Sequence, residues 1–293
     1  MASGESESGE LIALVRTELA TPVDPRVRAM ALALAAQHPG SARAVLFYGS
    51  CLRESALDGL MLDFYLIVSD YDDAYDKRWL ALANRLIPPN VFPFQYDGLI
   101  AKYAVLSEAD FYRLNGPETR NVSVWARFSQ PSRLVWAVDD TAADRAVAAV
   151  ARAAPTLLAA AGRRAGEAAL DWWRRAFALT YSVELRAERT NRAQSVVDAD
   201  PARYAHFAAP AAAAMEKGAR SGGWARRRIE GKLLSIARLA KASLTYAGGI
   251  DYLAWKINRH AGTAIEIKPW QRRWPLLAAL VLVPRLLRGG AIR

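Results

Sequence analysis

Cysteine is almost missing from this sequence. Its 293 residues hold a single one, Cys51, so no internal disulfide can form, and the three histidines at 38, 206 and 260 have no spacing that suits a zinc site. These scarcities point to an intracellular chain without a structural metal. Long apolar runs are also missing: nothing approaches the ~20 residues that a transmembrane helix needs. The first ten residues are small, polar and acidic, without the basic start and apolar core of a signal or transit peptide, and residues 1–9 read as a flexible tail.

What is present is ordinary globular material. With 53% hydrophobic and 23% charged residues the chain is no disordered polymer, and its length suits about two domains of ~150 residues. The net charge of +10 is unevenly placed. Residues 216–293 carry 16 Lys/Arg against 4 acids, net +12, while residues 1–215 carry 23 against 25, net −2. Such an excess in the last quarter implies an anionic partner there, either nucleic acid or an anionic membrane surface.

Hydrophobic patterning divides the chain. Residues 10–20 and 25–37 have helical spacing, the second stopped by His38-Pro39-Gly40. Ala44 to Tyr48 and Met61 to Val68 are compact apolar runs and read as buried strands. An acidic turn (Asp70, Asp72, Asp73, Asp76) leads into a helix through Leu86, ended by Pro88-Pro89, followed by strand-like segments at 91–96, 99–106 and 133–138. From Thr141 the composition becomes alanine-rich and helical, with breaks near Pro155, at 198–201 and at 221–223. The expected architecture is an α/β (α+β) domain with a mixed sheet over 10–139, a helical middle over 140–223, and a basic helical region over 224–293.

The chemistry centres on Tyr48-Gly49-Ser50 and on Asp63, with twelve residues between it and the Gly-Ser pair. Glycine and serine at a strand end let backbone amides approach a polyphosphate, since glycine has no Cβ and serine adds a hydroxyl. A carboxylate on the next strand can hold a magnesium ion against the same phosphates. Asp63 stands inside an apolar run, where an unpartnered carboxylate is costly. This spacing resembles the nucleotidyltransferase superfamily pattern, with one departure: Tyr65 stands where the second carboxylate would share the strand face.

An ordered set of further segments narrows the resemblance. Tyr48-Gly49-Ser50 with Met61-Leu62-Asp63-Phe64, then Lys102-Tyr103-Ala104-Val105-Leu106-Ser107, Ala126-Arg127-Phe128-Ser129-Gln130-Pro131, and Leu179-Thr180-Tyr181-Ser182-Val183-Glu184-Leu185-Arg186 resemble, in that order, the mitochondrial-type phosphatidate cytidylyltransferase family, first known as a translocator assembly and maintenance protein. The resemblance covers roughly residues 44–250. It implies a nucleotidyltransferase-like fold and transfer of CMP from CTP to phosphatidic acid with Mg²⁺, giving CDP-diacylglycerol and pyrophosphate.

The same resemblance implies Asp63 and Glu184 as metal ligands, Gly49 and Ser50 as the phosphate cradle, and Lys102 and Arg127 as cations on anionic oxygens. Departures are Cys51 where the family has glycine, Glu184 for aspartate, and Asp76 for histidine. Taken from the residues alone, Lys102 reads as a solvated edge lysine, and Glu184 reads as a metal ligand or as part of a surface ion-pair network. Arg127, between Trp125 and Phe128, stacks or forks onto phosphate. Asp58 is a third candidate carboxylate, and His260 ends a helix.

Trp224 to Tyr246 reads as an amphipathic helix with Ile229, Leu233, Ile236, Ala240 and Leu244 on one side and Arg226 to Arg228, Lys232, Arg238 and Lys241 elsewhere. In the last segment, ten uncharged residues from Pro275 to Pro284 span only ~15 Å as a helix, half of a ~30 Å hydrocarbon layer. Flanking Trp270, Trp274, Arg272, Arg273, Arg285 and Arg288 suit headgroups, which favours a membrane surface over nucleic acid. The expectation is a peripheral enzyme on the cytoplasmic face of a bacterial-type inner membrane. Its alternatives are a soluble nucleotidyltransferase acting on RNA or a small acceptor, and a degenerate non-catalytic membrane protein. Oligomeric state is not legible here.

Overall fold

A computed structural model of the chain describes residues 2–53, 57, 59–183, 196–215, 221–245, 266–269 and 271. It is an α/β architecture in which helices cover both faces of a five-stranded mixed sheet. The strands are β1 (Ala42–Tyr48), β2 (Met61–Val68), β3 (Asn90–Tyr96), β4 (Leu99–Ser107) and β5 (Ser132–Ala137), in the order β3-β4-β2-β1-β5. β2 and β4 run parallel and every other neighbouring pair is antiparallel. All five expected strand segments are present within one or two residues of their expected ends.

Among the described residues the helices are α1 (Ala2–Leu19), α2 (Pro25–Ala36), α3 (Tyr71–Ala74), α4 (Arg78–Leu86), α5 (Glu108–Asn115), α6 (Ser123–Phe128), α7 (Asp140–Ala151), α8 (Ala153–Ala161), α9 (Ala169–Tyr181), α10 (Pro201–Ala213) and α11 (Trp224–Thr245). Side-chain caps fix several starts. Asp24 accepts from the Arg26 amide with Pro25 in the first turn, and Ser107, Asp139 and Asp200 cap α5, α7 and α10 in the same way. α2 stops before Gly40, whose φ of +76° lets the chain turn into β1.

One difference from the sequence reading lies at the start. Helix α1 begins at Ala2, so residues 2–9 are helical where a flexible tail was expected. Leu11, Val15 and Leu19 are buried at helical spacing, and once they anchor the helix each further residue adds a backbone hydrogen bond at little cost. Arg203 of α10 clamps this helix from outside. Its guanidinium pairs with the Glu18 carboxylate, including a 2.9 Å contact to Oε1, and donates to the Ser129 carbonyl at 3.1 Å.

Alternation along each strand splits the core in two. Leu46, Tyr65, Ile67, Ala104 and Leu106 face one cluster, closed by α1 and the helices from α5 to α10. Val45, Phe47, Phe64, Leu66, Tyr103 and Val105 face the other, under α2. Burial on both faces explains why the central strands read as continuous apolar runs. The expected division at 139/140 falls where β5 runs into α7, whose Ala146, Val147 and Val150 belong to the first cluster. No helix among the described residues is long and apolar enough to cross a membrane.

Candidate active site

Register places the site. On the face shared with Leu46 and Ile67, one row crosses the whole sheet: Ser132 of β5 beside Tyr48 of β1, Tyr48 beside Asp63 of β2, Asp63 beside Lys102 of β4, and Lys102 beside Pro93 of β3. Tyr48, Asp63 and Lys102 are thereby brought together by strand pairing alone. The Lys102 ammonium lies 2.9 Å from Oδ1 of Asp63, so this lysine is a counterion inside the sheet and not a solvated edge residue.

Directly after Tyr48 the chain turns. Gly49 has a φ of +99°, a conformation that a side chain strains, and a Cβ built there would stand 3.1 Å from Oδ2 of Asp63. The glycine therefore serves both the turn and the close approach of backbone to carboxylate. Ser50 opens a short 3₁₀ turn, Ser50–Arg53, and is exposed beside this approach. A Gly49→Ala variant should melt a few degrees lower, since it strains the turn and crowds the Asp63 carboxylate. An unchanged melting temperature would refute this account of the glycine.

Cys51, which stands where the resembled family has glycine, points away from the approach. It is buried in the second core cluster, with its Sγ 3.5 Å from the Met61 carbonyl, so its bulk is absorbed by the core. Tyr65 takes the place of a second carboxylate as a core aromatic, 1% exposed and packed against Tyr48, Phe111 and Phe128.

Arg127 reaches the site from the other layer. α6 buries Trp125 and Phe128 and turns Arg127 toward the sheet, where its guanidinium donates to the Ser123 carbonyl at 2.8 Å and to the Tyr48 hydroxyl. Burial pushes the Tyr48 phenol well above its ordinary pKa, the Asp63 charge adds to this, and Arg127 opposes it. Tyr48 is thus a neutral hydroxyl at any ordinary pH.

A cavity of about 140 Å³ opens above this row, lined by Tyr48, Lys102 and Arg127 together with Pro89, Arg238 and Lys241. The last two lie off the apolar side of α11, and the structure turns them inward. α11 packs on β3, and Arg238 donates from Nε to the Pro88 carbonyl at 2.8 Å and from Nη1 to the Ser123 hydroxyl at 2.9 Å. Lys241 is 8% exposed and donates to the Pro89 carbonyl at 2.9 Å and to that of Ile87. Burial lowers the pKa of Lys241 to about 7, with the neighbouring Arg238 charge acting in the same direction.

The inward stripe of α11 is Arg227, Gly231, Arg238 and Lys241. Gly231 allows close packing, because a Cβ there would meet Val183. Sequence periodicity missed this stripe, since it follows the apolar positions Ile229 and Leu233, which are 64% and 62% exposed. One signal was available: two consecutive prolines at 88 and 89 cannot continue α4, so the carbonyls at its end need donors from elsewhere in the chain.

A magnesium ion can be tested against the donors present. Oδ1 of Asp63 is covered and receives no well-directed hydrogen bond, although the Lys102 ammonium is near. A hard cation that keeps one protein carboxylate and takes its other ligands from substrate phosphates and water fits such an oxygen. Among the described residues no group of three or more His, Cys, Asp and Glu side chains gathers. Glu184, the expected second ligand, and Asp58, His260 and most of the terminal segment lie outside the described residues.

The chain matches no protein-family model and no curated protein.

Proposed function

We propose that the protein is a metal-dependent nucleotidyltransferase, and that it transfers CMP from CTP to phosphatidic acid, releasing pyrophosphate. The observation that carries the reading is the contact between the Gly49 turn and the Asp63 carboxylate, with Lys102 paired to that carboxylate in register. A backbone turn open to phosphate, beside a carboxylate held in place by a lysine, is the minimum that a metal-nucleotide complex requires. The choice of CTP and phosphatidic acid rests on the ordered motif resemblance.

In this reaction an acceptor phosphate oxygen forms a bond to the α-phosphorus of CTP as the bond to pyrophosphate breaks. The acceptor oxygen is already anionic near neutral pH, so the demand falls on charge and position and not on proton abstraction. Lys102 and Arg127 neutralise phosphate oxygens as two anions approach. The amides after Gly49 and the Ser50 hydroxyl orient the departing β and γ phosphates. Asp63 would hold the magnesium ion, whose bound chemistry is to withdraw charge from the phosphoryl oxygens. Lys102 orients Asp63 and limits its rotation.

Pyrophosphate release in a coupled assay tests the reading. It should require CTP, Mg²⁺ and phosphatidic acid vesicles together, and release with RNA in place of the vesicles would redirect the proposal to the soluble enzyme. One feature favours a second reading, a degenerate binding protein: the buried Tyr65 where a second acid would point.

A membrane location is supported by α11. Ile229 and Leu233 are exposed one turn apart, and Arg226, Arg228 and Lys232 are exposed around them, the composition of a helix that meets anionic headgroups. The double variant Ile229→Glu/Leu233→Glu should lower partitioning onto vesicles of phosphatidic acid and phosphatidylcholine by about tenfold or more, as each lost side chain is worth ~2 kcal/mol of transfer. Unchanged co-sedimentation would remove this helix from the membrane contact.

A further inference from the structure

Two helices of this protein are built inside out, and they meet at one turn. α4 buries Ala81 and Asn84, a small residue and a polar one, and turns Trp79, Leu82 and Leu86 outward at 45%, 56% and 71% exposure. At about 100° per residue these three project within about 60° of one another, opposite the buried pair. Asn84 explains the inversion. Its Nδ2 donates to the Val105 carbonyl at 2.9 Å and to the Tyr75 hydroxyl at 3.2 Å, and its Oδ1 accepts from the Asn90 amide, so polar bonds seat α4 on the sheet.

α11 repeats the pattern, with Arg238 and Lys241 facing in and Ile229 and Leu233 facing out. The joint is the segment that follows α4, whose carbonyls at Ile87, Pro88 and Pro89 receive those two cations. Both helices also lie against β3, at one edge of the sheet. We propose that α4 and α11 form one membrane-binding face, in which the apolar stripe of α4 enters the bilayer and the exposed cations of α11 meet anionic headgroups.

Apolar exposure is the first argument. Leucine and tryptophan turned outward on a helix whose inward residues are alanine and asparagine form the stripe of a helix that lies in a lipid interface. Charge is the second, and it favours lipid over another copy of the chain. Around α4 the charges nearly balance: Asp70, Asp72, Asp73 and Asp76 stand against Lys77, Arg78 and Arg85, with Arg85 paired to Asp70 at 3.0 Å and to Asp72 at 2.7 Å. α11 holds Arg226, Arg228 and Lys232 exposed around its apolar pair, and its acid, Glu230, is taken up by Arg226 and Arg120. A second copy would add more positive charge, whereas anionic headgroups neutralise what is there.

Position is the third. Pro89, Arg238 and Lys241 line the cavity of the candidate site, so the face made by the two helices borders that cavity. The choice of a bilayer as partner rests on the membrane reading of α11 given above. Nothing in it depends on nucleotide transfer.

Site-directed labelling of the full-length protein tests the proposal. The native Cys51 is buried at 6% exposure, so a cysteine introduced by Leu82→Cys is the accessible thiol and takes a polarity-sensitive fluorophore. On vesicles of phosphatidic acid and phosphatidylcholine its emission should shift to the blue and its quenching by aqueous iodide should fall several-fold. The same probe at Val138→Cys, 46% exposed beyond β5 at the opposite sheet edge, should stay fully quenchable. Equal quenching at position 82 with and without vesicles overturns the proposal. So does shielding that appears without vesicles and grows with protein concentration, which assigns the face to a second copy.

Co-sedimentation then separates the two helices. Leu82→Glu/Leu86→Glu should lower partitioning onto the same vesicles by about tenfold or more, and should melt as the wild type does because both side chains are already largely exposed. High salt should weaken the wild type through the α11 cations and leave the fold-loss caused by the α4 variant in place. A folded α4 variant that partitions as the wild type does, while Ile229→Glu/Leu233→Glu does not, overturns the two-helix face and leaves α11 as the contact. A wild-type protein that binds no vesicles overturns both, so the failure of this proposal and of the α11 reading are told apart.

Discussion

Asp63→Asn should abolish turnover, lowering kcat by on the order of 10³-fold or more, while the protein keeps its fold. Asparagine preserves the shape of the side chain, and its Oδ1 still lies beside the Lys102 ammonium. What disappears is the negative charge that would hold a cation against the triphosphate and that orients Lys102. The carboxylate is largely covered, at 18% side-chain exposure, whereas Lys102 keeps 29% and can turn toward water. A loss of about 1 kcal/mol in stability is therefore expected, a few degrees of melting temperature. Steady-state rates and thermal unfolding on the same sample check both halves. A stable variant with near-normal activity would show that Asp63 serves the sheet and not the reaction.

The second large effect concerns the fold. Arg203→Leu should destabilise the protein by ~3–5 kcal/mol, because it leaves the Glu18 carboxylate without its partner in a nearly closed site. The two side chains are 9% and 13% exposed, and Arg203 also donates to the Ser129 carbonyl and lies over the Tyr204 and Phe207 rings, with centroids at 4.9 Å and 4.4 Å. At ~2–4 °C per kcal/mol for a domain of this class, the melting temperature should fall by about 6–20 °C. Adding Glu18→Leu should recover part of the loss, since the unpaired charge, and not the missing bond, is the main cost. A shift of less than about 2 °C for the single variant would show that α1 is held by its apolar stripe alone.

The sheet was legible because its strands are short apolar runs bounded by turn residues, and burial on both faces makes such runs unmistakable against the alanine-rich helices that follow. Asp63 stood out for the same reason: an acid in the middle of Met61 to Val68 demands a partner. That the partner is Lys102 was not legible from β4 itself, because the parallel pairing of β2 with β4 is a long-range choice that skips β3. The cations of α11 were hidden for a different reason. Periodicity identified its apolar side as the inward one, but the carbonyls left by Pro88 and Pro89 draw Arg238 and Lys241 inward, and Ile229 and Leu233 face out. The extent of α1 was underestimated because polar composition says little about a helix whose anchor lies further along the chain.

The central claim is transfer of a nucleotidyl group onto a lipid phosphate. Its most direct test incubates the purified protein with Mg²⁺, vesicles containing phosphatidic acid, and each nucleoside triphosphate in turn, labelled at the α-phosphate, followed by extraction into organic solvent. The account predicts label in the organic phase from CTP alone, only when phosphatidic acid is present, and none with Asp63→Asn. No label from any triphosphate, with folded protein bound to the vesicles, would contradict it and leave a nucleotide- or lipid-binding protein without catalysis.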